Sequence, residues 1–112
     1  MNASPMVSVI MPAYNAEAFI AASINAMLGQ TLTDFELIVI DDASTDRTVD
    51  VVEDLVRRDP RVKLLRNETN LGLVGAPNRG LDVARGTYIA RHDADDLCPK
   101  NKLAVQVAYL EA

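Results

Sequence analysis

Apolar runs and helical patterns alternate four times along this chain. Val7-Ser8-Val9-Ile10-Met11 is an apolar run stopped by Pro12 and predicts a first strand. Asn15 predicts the cap of a helix running to about Leu28, because Ile20, Ile24, Met27 and Leu28 recur at helical spacing and Gly29 follows. Residues 35–40 form a second β-rich run, closed by the polar turn Asp41-Asp42-Ala43-Ser44-Thr45. A second helix carries Val49, Val52, Leu55 and Val56 on one face and stops before Asp59-Pro60. Residues 62–65 predict strand three, and residues 66–75 a long loop. A third helix is expected over residues 77–85, with Pro77 in its first turn and Gly86 just past its end. Residues 87–90 predict strand four, and Pro99 opens a last helix with Leu103, Val107 and Leu110 on one side.

The order is β-α-β-α-β-α-β-α. Strands that are continuously apolar are buried on both faces, so the fold class is α/β, a three-layer α/β/α sandwich around a mostly parallel four-stranded sheet. Ligands of such sheets sit beyond the carboxyl ends of the strands, where the strand order reverses. Pro12-Ala13-Tyr14-Asn15 follows strand one, Asp41-Asp42 follows strand two, and Asp93-Ala94-Asp95-Asp96 follows strand four. The three unusual stretches therefore fall on one rim.

The 112 residues suit one small domain, and 49% of them are apolar, enough for a core built mainly from Val, Ile, Leu and Ala. Residues 1–6 read as a flexible tail. With 11 basic and 16 acidic residues the net charge is −5, and no basic stripe is visible, which excludes a nucleic-acid partner. The apolar runs are far shorter than a membrane span, and the N-terminus lacks the pattern of a signal peptide. The one cysteine, Cys98, cannot form an internal disulfide, which places the chain in a reducing compartment, the cytoplasm.

Three carboxylates within residues 93–96 repel one another unless a cation or a donor sits between them. Asp93 and Asp95, two apart, point the same way if strand geometry persists, and such an oxygen site suits Mg²⁺ or Mn²⁺ shared with substrate phosphates. On spacing alone, a solvated loop with Asp96 starting the next helix reads equally well. Asp42 at a strand end can accept a ring N–H from uracil, thymine or guanine; a cap for the following helix is the competing reading, and the better one for Asp41. Tyr14 can stack on a base, although taken alone it reads as an ordinary half-buried tyrosine. The stretch of residues 70–78 lacks G-x-G-x-x-G spacing and reads as a helix-entry loop. His92 reads as a packing residue and Cys98 as a small apolar filler.

The segments P-x-Y-N, I-D-D-x-S-x-D-x-T and A-R-G-x-Y-I-A-x-x-D-A-D-D occur in that order over almost the whole chain. Together they resemble the family 2 glycosyltransferases, whose nucleotide-sugar domain is the Rossmann-like half of the GT-A fold. By this resemblance Pro12, Ala13 and Tyr14 pack on the nucleobase, Asp42 reads its N–H, Asp93 lies near the ribose, and Asp95 holds the Mn²⁺ or Mg²⁺ that bridges the diphosphate. Residues 7–112 would be the donor-binding part of an inverting, hexosyltransferase-type enzyme that uses a UDP-sugar. Two departures stand out. Relatives carry a basic residue where this chain has Pro77, and their acceptor site and catalytic base lie in a later half. The resemblance thus implies a donor-binding fragment, with the base beyond Ala112 and no transfer activity of its own. Acceptor glycans are then engaged through the other half, and the full-length protein can sit peripherally at the inner membrane face. A half-sheet severed from its partner also predicts self-association. The alternative is a non-catalytic nucleotide-binding or self-associating α/β domain. A receiver-type phosphoacceptor module is disfavoured because its acidic pair follows the first strand, and a sugar-nucleotide pyrophosphorylase because no glycine-rich basic loop follows strand one.

Overall fold

The computed structural model describes residues 4–112. Its elements run β1 (Val7–Ala13), α1 (Ile20–Leu28), β2 (Phe35–Asp41), α2 (Thr48–Arg58), β3 (Val62–Arg66), α3 (Gly72–Val83), β4 (Tyr88–Arg91) and α4 (Lys102–Glu111). The four strands form one sheet in the order β3-β2-β1-β4, and every pair is parallel. The order reverses between β1 and β4, so the crevice at the carboxyl ends of those strands is the expected ligand position.

Alternation along the strands builds two apolar layers. Val7, Val9, Met11, Leu37 and Val39 face α1, α2 and α4, meeting Ile20, Ile24, Met27, Val52, Leu55, Leu103 and Val107. Ile10, Ile38 and Ile40 face the other way and meet Ala76 of α3. Both faces of β1 and β2 are thus buried, which is why those strands read as continuous apolar runs rather than alternating ones. Among the described residues no helix is long and apolar enough to cross a membrane.

Five boundaries differ from the sequence expectation. Pro12 lies within β1, near its carboxyl end, rather than ending the strand. The first helix begins at Ile20, not Asn15. Asn15 has φ 48°, a left-handed conformation, and its side chain is spent on the neighbouring loop, where Oδ1 accepts the Thr45 N–H at 2.8 Å. The third helix begins at Gly72, five residues early, so Pro77 is internal; its first N–H groups are met by a carboxylate from β2, described below. The last helix begins at Lys102, and Pro99 precedes it, accepting the Lys102 N–H at 3.2 Å. Pro5 and Met6, expected in the tail, join the sheet edge: their carbonyls accept N–H bonds from Thr87 and Tyr88. Residues 1–3 of the expected tail lie outside the described residues.

Candidate functional site

A cleft of about 550 Å³ opens at the reversal point. Pro12, Ala13 and Tyr14 reach it from β1, Asp42 from β2, Gly72 and Leu73 from α3, and Arg91, Asp93 and Asp95 from β4. All six residues singled out from the sequence therefore line one cavity. Tyr14 is about half exposed, with a face free to stack.

The loops after β1 and β2 hold each other. The Asn15 N–H donates to Ser44 Oγ at 2.9 Å, the Ala16 N–H to Thr48 Oγ1 at 2.8 Å, and the Glu17 N–H to Asp46 Oδ2 at 3.2 Å. Asp46 Oδ1 accepts the Thr48 N–H at 2.9 Å and its hydroxyl at 2.5 Å, which caps the start of α2. The polar positions of this segment thus fix the backbone that carries Tyr14.

Asp42 is buried, yet it faces the cleft. Its Oδ1 accepts from Asn67 Nδ2 at 2.9 Å and from the Leu71 N–H at 2.7 Å; its Oδ2 accepts from the Gly72 N–H at 2.9 Å. Burial disfavours the ionised form, but the Leu71, Asn67 and Gly72 donors outweigh it and hold the carboxyl below its usual range. This carboxylate caps α3, the third helix, rather than α2, which explains the early start at Gly72. Gly72 has φ +78°, which its missing side chain permits without strain. Each carboxylate oxygen has about two acceptor positions, so Oδ2 retains one for a ligand N–H. Arg79 donates through Nη1 to Asn67 Oδ1 and so turns the Asn67 amide towards Asp42. Asp41 is equally buried, but its Oδ2 accepts the Ser44 N–H at 3.3 Å and turns the chain towards α2.

Backbone contacts anchor the acidic loop. The buried Ala94 sits in the core. Ser23 Oγ donates to the Asp93 carbonyl at 2.8 Å, and the Asp96 N–H to the same oxygen at 3.0 Å. His92 is buried; Lys102 Nζ lies 3.3 Å from its Nδ1, so the ring proton belongs on Nε2, which donates to the Asp96 carbonyl at 3.1 Å. Burial, then the Lys102 ammonium, hold the His92 pKa below its ordinary value. Strand geometry ends at Arg91, so it is the core position of Ala94, not strand alternation, that turns Asp93 and Asp95 into the cleft. Asp96 is exposed and does not cap α4, whose N-cap is Asn101. The carboxylates of Asp93 and Asp95 take no part in holding the loop. Asp93 Oδ1 meets Arg91 Nε at 3.1 Å, and Asp95 makes no hydrogen bond or ion pair among the described residues.

Among the described residues no three His, Cys, Asp or Glu side chains cluster as a metal cage. Two open carboxylates suit instead a Mg²⁺ or Mn²⁺ that takes its remaining ligands from water and a bound phosphate. Sequence reasoning missed Asn67 and Arg79, which orient Asp42, and Arg91 and Phe19, which line the cleft. A lone Arg inside an acidic stretch was a readable signal; the Asn67 role depends on a contact across 25 positions and was not.

The sequence profile of glycosyl transferase family 2 matches residues 8–112. An uncharacterized glycosyltransferase of Haemophilus influenzae is 43% identical over 111 residues, covering 99% of this chain and 34% of that protein. The Escherichia coli UDP-Glc:alpha-D-GlcNAc-diphosphoundecaprenol beta-1,3-glucosyltransferase WfgD is 47% identical over 105 residues, covering 94% of this chain and 41% of that protein. Staphylococcus aureus TarS in complex with UDP-GlcNAc superposes with a TM-score of 0.84 at 36% identity, over 94% of this chain and 31% of TarS 1–349. The mannosyltransferase PcManGT of Pyrobaculum calidifontis, in complex with GDP-Man and Mn²⁺, superposes with a TM-score of 0.90 at 30% identity, over 98% of this chain and 33% of that one. The chain spans about a third to two fifths of the length of these relatives. Sequence profile, relatives and superpositions agree with one another, and the chain belongs to glycosyl transferase family 2.

Proposed function

We propose that the cleft binds the nucleoside diphosphate of a UDP-sugar, and that the whole protein transfers the sugar to an acceptor hydroxyl with inversion. One observation carries the base assignment: buried Asp42 presents a single remaining acceptor position on Oδ2 beside half-exposed Tyr14. That position accepts N3–H of uracil while the tyrosine ring stacks on the base. Guanine also carries a ring N–H, and the similar proteins were solved with UDP-GlcNAc and GDP-Man. Asp93 would then lie near the ribose and Asp95 near the diphosphate. Mn²⁺ or Mg²⁺ bound there would offset the charge of the departing nucleoside diphosphate. The general base and the acceptor site are proposed to lie outside these 112 residues, so this chain alone binds donor without transferring sugar. The cytoplasm, where UDP-sugars are made, is the proposed location.

Calorimetry with UDP, with and without Mn²⁺, tests the site. Affinity is expected to rise with Mn²⁺, to lose that rise in Asp95→Asn, and to fall about tenfold in Asp42→Asn, whose amide presents N–H groups to donors. Equal UDP affinity in the wild type and both variants would sink the assignment.

A second proposal concerns self-association. β4 is an edge strand with Ile89 half exposed, and an open apolar edge pairs with a second copy. Light scattering that stays monomeric across a hundredfold concentration range would count against it.

A further inference from the structure

Among the described residues, Arg91 is the one basic side chain lining a cleft that also holds Asp42, Asp93 and Asp95. Three carboxylates against one guanidinium repel a diphosphate, so any cation in the cleft matters to its binding. We infer that Arg91 is an exchangeable counter-ion. In the donor-free protein it neutralises Asp93; when a nucleoside diphosphate enters, the guanidinium moves to the phosphates and releases the Asp93 carboxylate. This inference rests on the donor-site reading above and deepens it.

The geometry favours exchange over a permanent pair. Arg91 contacts Asp93 through Nε alone, at 3.1 Å, and both side chains are 52% exposed. A single-contact ion pair in water contributes little, whereas a phosphate accepts two parallel N–H bonds from the same fork. Both backbones are meanwhile fixed. Arg91 pairs in register with Ile10 of β1, and its carbonyl accepts from Lys102 Nζ at 3.2 Å. Ser23 holds the Asp93 carbonyl. The exchange therefore needs only rotation of two exposed side chains, and no loop has to move.

The same pair predicts an order of binding. While Arg91 occupies Asp93 Oδ1, a divalent cation meets a half-neutralised site and binds poorly by itself. Once the diphosphate draws the guanidinium away, the uncovered charge of Asp93 beside the ribose adds to that of Asp95 in attracting the metal. Donor and metal then strengthen each other's binding, and by linkage the effect is equal in both directions.

Three probes on the 112-residue chain and two variants, Arg91→Gln and Arg91→Lys, test this. Calorimetry reports uridine and UDP in metal-free buffer, and the paramagnetic resonance of free Mn²⁺ reports Mn²⁺ alone; near-ultraviolet dichroism establishes that each variant is folded. In Arg91→Gln, UDP is expected to bind about tenfold more weakly, while uridine, which has no phosphate, stays within about twofold. Mn²⁺ alone is expected to bind Arg91→Gln more tightly than wild type, the opposite sign to UDP. Arg91→Lys keeps a charge without the fork and is expected between wild type and Arg91→Gln for UDP. Unchanged UDP affinity in Arg91→Gln, equal weakening of uridine and UDP, or no gain for Mn²⁺ alone would each overturn the counter-ion role. Wild type that binds neither uridine nor UDP would overturn the donor site and this inference with it. Wild type that binds UDP while Arg91→Gln is indistinguishable from it removes this inference only.

Discussion

A buried glutamate and an acidic cleft sit at opposite ends of the same sheet. At the amino ends of the strands, buried Glu36 accepts the Ser8 hydroxyl at 2.5 Å, the Arg85 N–H at 2.8 Å and Lys63 Nζ at 2.7 Å. Ser8 Oγ in turn accepts the Gly86 N–H at 2.7 Å. Burial disfavours the Glu36 charge, but Lys63, Ser8 and the Arg85 N–H outweigh it and keep the carboxyl below its ordinary range. At the carboxyl ends, Asp42 keeps one acceptor position, Asp93 has one weak pair, and Asp95 has no partner among the described residues. Glu36 and Asp42 each accept three donors from their own chain, so the number of donors does not separate them. Asp93 and Asp95 are held through the backbone of their loop while their carboxylates line the cleft, and Asp42 does both, capping α3 and lining the cleft. The difference lies in whether a carboxylate borders the cleft, not in how many acids or donors are present.

The contrast breaks most visibly at Glu36. Glu36→Ala leaves the Ser8 hydroxyl buried without its acceptor and removes the partner of the Arg85 N–H, and a loss of roughly 1–3 kcal/mol is expected in urea unfolding. A loss below about 1 kcal/mol would show that water replaces the carboxylate, and that the cluster is not closed.

Gly86→Ala attacks the same end sterically. A Cβ there would lie 2.4 Å from the Ser8 backbone nitrogen, which cannot rotate aside. Overpacking of this kind is expected to cost about 1–3 kcal/mol, read as a lower urea midpoint. At Gly80 a Cβ would meet side-chain atoms and no backbone, Cδ1 of Ile40 at 2.7 Å and Cγ2 and Cδ1 of Ile10 at 3.2 and 3.3 Å, so Gly80→Ala is expected to cost less; the reverse ranking would contradict the packing described.

Acid weakens both ends by graded steps. Glu36, Asp42 and Asp59 all have pKa values lowered by folding, so the unfolded chain takes up protons first as pH falls. Their contribution is complete above about pH 5 and is lost as pH drops through the lowered values. The urea midpoint is expected to fall gently below about pH 7, as His92 takes up its proton in the unfolded chain first, and more steeply below about pH 5, where the carboxylates follow, with a shallower acid fall in Glu36→Ala. A flat profile down to pH 3 would contradict the pairing.

The smallest effect on stability is expected at Asp95. Because it makes no contact that supports the fold, Asp95→Asn should leave the urea midpoint unchanged while removing the Mn²⁺-dependent part of UDP affinity. A clear shift in the midpoint would move Asp95 into the structural class with Glu36.

Much of this was legible before any coordinates. Apolar runs at Val7, Val9, Ile10 and Met11 and at Leu37, Ile38, Val39 and Ile40 announce strands buried on both faces, because alternate side chains each need an apolar layer. The glycosyltransferase segments brought Tyr14, Asp42, Asp93 and Asp95 to one rim, as they stand in the cleft. Helix starts were less legible. Asn15 carries a good capping side chain, yet it binds Thr45 of the facing loop and leaves its own helix to begin at Ile20. Gly72 has no local side-chain cap, yet it starts a helix because Asp42 reaches across from β2.

The sequence by itself determined the element order, the parallel sheet and the rim on which the chemistry gathers, because these follow from periodicity and connection rules local to each segment. Only the tertiary structure decided which acids face their own chain and which line the cleft. Glu36 sits in an apolar run without a visible partner in sequence, and its donors come from positions 28, 27 and 49 residues away. Whether a carboxylate borders a cleft or only its own chain depends on what packs around it through space, and sequence neighbours supply little of that.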